Sequence, residues 1–517
     1  MNWLGHLRPQ AGRDRAALMS CDQLASVLHL NLPRSELRDR FAIHELQDAL
    51  HASAQDASRA EAFRSVAEPV KDYFATINHE LDHLRRQFST SCGLLNLYLH
   101  SQLVASSQQM ALEAQKQEDE FPFPLLGRFA RSPWLDSVIK LPPDFYKRCQ
   151  ELAPISAMAL WALGNAAAIR GLEVGSTIHG RVLSDMAFFI PFEEKRFSPI
   201  GIVQPPIEPE IDEWLGAQHL LEHMAMVEEL SCRTKIGGAM TEWTRLLSED
   251  NRYRKIMQLW FHFFPNSHVL DQGVMRPGDR ITDVYRICPI EFYAILDLAL
   301  WPPFTSRGFF RKNGSVRWED IQPGHRFLRG MGVMRDARTR LTPFTADDRE
   351  GRFDEVQRFI AAELGWETPE NLAAAWYDYL LSERLCNDGL FVGHKDDTVF
   401  RIARTMLGHR IKSPFNTVCN NLSQDQTQEI KFAVWITNDG TGGHQMQLAK
   451  ESDDAFATRN RYLLFRGCEM LLFGESPRFE SLEEGHRRLA VEIMNHELRC
   501  SSWNDVAFEK AALNLIG

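Results

Sequence analysis

PEIDEWLGAQHLLEHMAMVEELSCRTKIGG, Pro209–Gly238, decides the fold class, because its two ends and both of its faces read as one buried helix. Pro209 suits a first helical position, and Glu210, Asp212 and Glu213 place negative charge at the positive end of the helix dipole. Arg233 and Lys235 fall in the last turn, and Gly237-Gly238 supplies a left-handed stop. One apolar stripe runs through Trp214, Ala217, Leu220, Leu221, Met224 and Val227. On the other side, His219 and His223 keep company with Leu215, Met226 and Leu230. A helix that is apolar on two sides belongs in the interior of a fold.

Working outward, the chain reads as mainly α with minor β. Residues 1–118 are predicted as an N-terminal helical hairpin region. It holds short amphipathic pieces at Ser20–Leu30 and Glu36–His51, then a longer helix from about Glu61 to Phe88 with a restart at Pro69. Residues 119–145 carry four separate proline points and read as a proline- and aromatic-rich connector. A central α+β domain follows over 146–350, with β patches near 176–203 and 307–335, a very aromatic run at Tyr253–Phe264 and a helix at Ile287–Trp301. The third unit, 351–517, is mainly helical. Thr368-Pro369-Glu370 opens one of its helices, a strand is predicted at 430–437, and Ser481–Glu484 reads as a capping box.

Composition narrows the classes. The 517 residues are 44% hydrophobic and 25% charged, as in soluble globular proteins, and the net charge of −11 disfavours general nucleic-acid affinity. Nine scattered cysteines without a CxxC pair read as free thiols in a reducing compartment. The polar start and the absence of a long apolar run predict a cytoplasmic protein.

Two histidine pairs stand at helical spacing, where a pair of imidazoles can share one zinc ion. His79-Glu80-Leu-Asp-His83 spells the HExxH order. On a helical wheel, however, both histidines turn away from the Val70/Phe74/Ile77/Leu81/Leu84 stripe, and Asp82, Arg85 and Arg86 add charge, which predicts a solvated face. His219-Leu-Leu-Glu222-His223 has apolar company, so its imidazoles need either hydrogen-bond acceptors in the core or a metal.

GAQHLLEHMAM resembles the HxxEH segment of the inverzincins, zinc peptidases of the insulin-degrading-enzyme and pitrilysin type. The resemblance implies His219 and His223 as zinc ligands, Glu222 as the catalytic base, and a downstream Glu, Glu291 or Glu319, completing the metal site. It covers about a dozen residues, and in that family the motif lies near the start of a duplicated α/β domain.

Other motifs are weaker. Segments around His79, His409 and His496 resemble the phosphoacceptor box of histidine kinases, and Asn438-Asp-Gly-Thr-Gly442 their ATP-lid glycine box, but the chain after them is too short or of the wrong kind for the nucleotide domain. Arg404 and His409 match the RxxxxH of HEPN-type ribonucleases, with Gly408 and Pro414 expected to break the helix there. Arg307, Arg311, Arg326 and Arg329 alternate with aromatic residues in a way that can contact phosphates. The reading that composition favours is a scaffold or recognition subunit of a larger protein assembly. Its alternatives are a zinc-dependent hydrolase using His219, Glu222 and His223, and an RNA-directed nuclease using Arg404 and His409.

Overall fold

The computed structural model describes residues 19–22, 27–33, 68–94, 97, 189–191, 197–199, 216–235, 256, 259–260, 263, 290–305, 308–309, 320, 323–340, 348–381, 398–419, 434–438, 444–448, 452–473 and 482–497. In chain order the elements are β1 (Met19–Asp22), β2 (Val27–Pro33), α1 (Glu68–Ser89), β3 (Phe189–Pro191), β4 (Phe197–Pro199), α2 (Ala217–Lys235), α3 (Ile290–Ala299), β5 (Phe304–Thr305) and β6 (Gly308–Phe309). There follow α4 (Pro323–Arg340), α5 (Arg349–Leu364), α6 (Pro369–Leu381), α7 (Thr398–Lys412), α8 (Pro414–Val418), β7 (Val434–Asn438), β8 (His444–Leu448), α9 (Asp453–Phe473) and α10 (Glu484–Glu497). The described chain is thus mainly α with minor β. Among its residues no helix is long and apolar enough to cross a membrane.

The helices assemble around α3, whose residues Phe292 to Ala299 are all buried. It packs on α4 and α5, while α1 lies against α2 and α7. Burial on every side leaves Asp297 in the apolar interior, so its charge needs a partner. Arg410 of α7 supplies it with both terminal nitrogens, and Gln357 of α5 donates to the same carboxylate at 2.7 Å. Asp297 and Arg410 are each 1% exposed. This pair ties three helices whose apolar faces alone would leave their relative rotation loosely set.

The chain just after α1 is fixed by backbone and side-chain hydrogen bonds. Cys92 donates its N–H to Leu300 O at 3.0 Å, Ser91 Oγ donates to Pro302 O at 2.9 Å, and Trp376 Nε1 donates to Ser91 Oγ at 3.1 Å. Gly93 sits so close to the Gln87 backbone that a Cβ there would collide with the Gln87 carbonyl. Helix α5 shows the sequence logic of its ends clearly. Asp348 caps its start, and Gly365, at φ +66°, closes a left-handed stop in which Trp366 N–H reaches Ala361 O at 2.8 Å. Pro369 opens α6 as expected, with Thr368 Oγ1 accepting from Asn371 N–H at 3.4 Å.

A second core is built on a four-stranded sheet of order β1-β2-β7-β8. β1 and β2 pair antiparallel, β2 and β7 run parallel, and β7 and β8 pair antiparallel, with Asn438 opposite His444. Val27, Val434, Ile436 and Met446 meet Tyr462, Leu463, Leu482 and Ala490 beneath α9 and α10.

Three expectations change. Ser20–Leu30, predicted as helix, contributes β1 and β2; the alternation in Val27-Leu-His-Leu-Asn-Leu-Pro33 suits a strand, and Pro33 ends the run. Residues 323–340, placed in a strand-and-turn region, form α4: Phe327, Met331 and Met334 lie buried at helical spacing, and Gly330 lets Ile295 of α3 approach. Helix α2 opens at Ala217 after Gly216, later than the Pro209 start. Contacts also cross the boundaries drawn at 118, 145 and 350, since α1 packs on α2 and α7, and β2 pairs with β7. The segments 36–51 and 119–145 and the glycine cluster after Asn438 lie outside the described residues.

Within α4, burial and the neighbouring Arg329 guanidinium push the His325 imidazole down to about 4. The folded chain therefore keeps His325 neutral where the unfolded chain, near 6.5, takes up a proton. Stability falls as pH drops from about 6.5 toward 4, by about 2 kcal/mol from this group once its partial exposure is allowed for. Urea midpoints at pH 7 and pH 4.5 should show a smaller acid loss in His325→Gln than in the parent. Equal losses would mean that His325 is not held neutral.

Candidate metal centre

Helix α1 presents His79 and His83 one turn apart, and α2 brings Glu222 to them. His79 Nε2 and His83 Nε2 are 3.1 Å apart, and Glu222 Oε2 lies 3.4 Å from the first and 3.5 Å from the second. Among the described residues this is the one group of three or more His, Cys, Asp or Glu side chains placed to share a metal ion. Tetrahedral ligands held about 2.0–2.1 Å from zinc are themselves about 3.3–3.4 Å apart, so the three spacings fit that ion. The donor set, two imidazoles and one carboxylate, is one that zinc and ferrous iron both accept.

The two helices are locked at this level. Asn78 Nδ2, from the residue before His79, donates to Glu228 O at 3.3 Å. Two turns beyond His79 on the same side of α1, Arg86 donates to Asp82 at 2.6 Å, to Tyr293 Oη of α3 at 2.7 Å and to Val418 O at 2.9 Å. Tyr293 Oη donates in turn to Glu228 Oε1 at 3.3 Å. Burial and the surrounding acidic groups hold the Tyr293 hydroxyl well above its ordinary pKa, so it stays a protonated donor.

The electrostatics of the site favour a cation. Burial opposes a charge on His79, but Glu222 and Glu229 on its two ring nitrogens, with Glu80 beside it, hold its pKa well above the usual histidine value. Burial would raise Glu222, and the two imidazoles instead hold it well below the usual carboxylate range. A negative field strong enough to retain a proton there is also one that attracts a divalent ion. Glu80, the carboxylate within the HExxH, is buried at 7% exposure.

This places the candidate ligand group on the histidine pair that the wheel assigned to solvent. His79 and His83 are 6% and 4% exposed, and Asp82, Arg85 and Arg86 are equally buried. The apolar stripe covers one side of α1, while the polar side is buried through mutual neutralisation: Asp82 with Arg86, and His79 and His83 with Glu222.

The His219/His223 pair is buried as expected, at 4% and 1% exposure, but it does not form the metal group. His219 Nδ1 accepts from Gly216 N–H at 3.3 Å, a contact that helps to start α2, and the His223 ring meets Phe292 edge-on at 5.6 Å. Glu222, named as catalytic base, stands instead among the candidate ligands. Glu291 is paired with Arg352 at 3.2 Å on the α3–α5 contact, so its carboxylate is already engaged. Glu319 lies outside the described residues.

The remaining candidates are placed as follows. Arg404 and His409 are both on α7, which runs unbroken through Gly408 to Lys412, and five residues put them about 140° apart around it. Arg326 is buried against the Trp366 ring at 3.8 Å and donates to Leu298 O at 3.0 Å, while Arg329 pairs with Asp320 at 2.6 Å. Arg326 is an internal tie in the helical core, and Arg329 a partly exposed one at its edge. Arg307 and Arg311 lie outside the described residues. Comparison with models of known protein families, with curated proteins and with solved structures finds no match to this chain.

Proposed function

We propose that this chain is a metal-dependent hydrolase acting on amide bonds, with His79, His83 and Glu222 holding the ion and Glu80 serving as general base. The observation that carries the reading is the convergence of the two Nε2 atoms and Glu222 Oε2 within 3.5 Å of one another, on a helix that spells HExxH. A divalent cation held by these groups supplies Lewis acidity, acidifying a water molecule and polarising a carbonyl oxygen. Glu80, which follows His79 in the HExxH order and is buried, takes the role of accepting the proton from the attacking water and returning it to the leaving amine. The buried surroundings strengthen each of these interactions by excluding competing solvent. The scaffold and RNA-nuclease readings rest on composition and on a six-residue motif, with no comparable arrangement of groups behind them among the described residues.

The test is elemental analysis of the purified full-length chain, followed by hydrolysis of fluorescently labelled casein with and without a chelator. About one zinc or iron per chain is expected, with chelator-sensitive cleavage. Glu80→Gln should retain the metal and lose about 10²- to 10⁴-fold in rate, the usual contribution of a general base. Metal-free protein that does not take up added zinc would sink the reading. Undiminished cleavage by Glu80→Gln would remove Glu80 from its role.

A further inference from the structure

His79 stands between two carboxylates of α2. Glu222 and Glu229 are seven residues apart, two turns of helix, and so share a face. Glu222 Oε2 is 3.4 Å from Nε2 of His79, and Glu229 Oε2 is 3.2 Å from Nδ1. The Asn78 bond to the Glu228 carbonyl holds the helices in this register, each partner being the residue immediately before His79 or Glu229. Nε2 is the atom that meets His83 and Glu222. When it acts as a ligand, the imidazole is neutral and its proton resides on Nδ1, the atom that stands 3.2 Å from the Glu229 carboxylate.

Charge leads to the same residue. Two neutral imidazoles and one carboxylate around a divalent ion leave a net single positive charge in a buried place. Glu229, whose side chain is 12% exposed, offsets that charge together with Glu80, which also acts on His79. Neither Nδ1 makes an aligned hydrogen bond among the described residues, but that of His79 has the Glu229 carboxylate at 3.2 Å. The two imidazoles therefore differ in the anion that stands behind His79.

We infer that Glu229 is a positioning residue for the metal centre, fixing His79 as an Nε2 donor and neutralising the bound ion. This rests on the metal reading above. An outer carboxylate of this kind sets the tautomer and strengthens the donor, and its loss costs about 10- to 100-fold in metal affinity.

The experiment is a zinc competition titration against a chromophoric chelator with the full-length chain, its Glu229→Gln and Glu229→Ala variants, and the cobalt(II) absorption spectrum of each. Zinc affinity should fall in the order parent, Gln, Ala, by about 10- to 100-fold overall, because Gln keeps an acceptor oxygen and loses the charge. The cobalt bands should shift in both variants while far-ultraviolet circular dichroism is unchanged. In the loaded parent, ¹⁵N spectra should show the His79 proton on Nδ1. If Glu229→Ala does not fold, Glu229→Gln carries the comparison. Affinity within twofold of the parent with an unaltered cobalt spectrum would overturn the role of Glu229 and leave the metal site standing. A parent chain that binds neither ion would overturn both.

Discussion

His83→Ala and Glu222→Ala should each reduce bound zinc from about one per chain to near zero, whereas His223→Ala should keep it. Removing one of three protein ligands costs more than the 10- to 100-fold produced by outer-sphere changes, and a loss of at least about 10³-fold is expected. The contrast matters because His223 and Glu222 are adjacent in sequence and on the same buried helix, yet only Glu222 faces α1 with a ligand atom. The parent should also melt higher with zinc present, by about 2.7 kcal/mol when the free ion is 100 times its dissociation constant. That gain should vanish in His83→Ala and persist in His223→Ala. Elemental analysis and melting with and without zinc measure both quantities. Retention of zinc by His83→Ala, or its loss from His223→Ala, would place the metal on the other pair.

Asp297→Ala should destabilise the chain by about 3–5 kcal/mol, the cost of leaving a buried guanidinium without its anion. Arg410 is 1% exposed and has the Trp301 ring 5.3 Å beneath its guanidinium carbon, so it cannot turn to solvent without opening the α3–α7 contact. Gln357 also loses an acceptor, although its bond to Ala294 O at 3.2 Å remains. A loss of this size is a large part of the 5–15 kcal/mol by which domains are usually stable. The double variant Asp297→Leu with Arg410→Met should recover most of it, because two apolar groups of similar bulk leave no buried charge behind. Urea unfolding followed by helical circular dichroism gives both numbers. A single variant within 1 kcal/mol of the parent would show that the pair is dispensable.

Local signals in the sequence carried well where the answer was local. Thr368-Pro369 marked the start of α6, Ile287–Trp301 contained the buried α3, and the HLLEH segment was recognised as interior from its two apolar sides. They carried poorly where the answer depends on a distant partner. The polar side of α1 was assigned to water because nothing in residues 68–89 shows that α2 and α7 lie over it. The candidate metal group was likewise split between two segments, each holding part of it: HExxH supplied both imidazoles, and HLLEH the carboxylate. Neither motif contains a third ligand, and Glu291, expected to complete the second, is paired with Arg352 instead. The strands β1 and β2 were read as helix for a related reason, since a short apolar run fits either state until its pairing partner is known.

That partner is far away. Val27 of β2 lies opposite Val434 of β7, 407 positions later, in a parallel register that no turn can set. At about 5–20 residues per second, a ribosome takes about 20–80 s to deliver β7 after β2 has emerged. For that interval, β2 offers an unsatisfied strand edge in a chain whose helical core can already be forming. Production of this protein should therefore depend on holding factors and on slow, cool expression, with failures appearing as strand-mediated aggregates that contain the N-terminal strands.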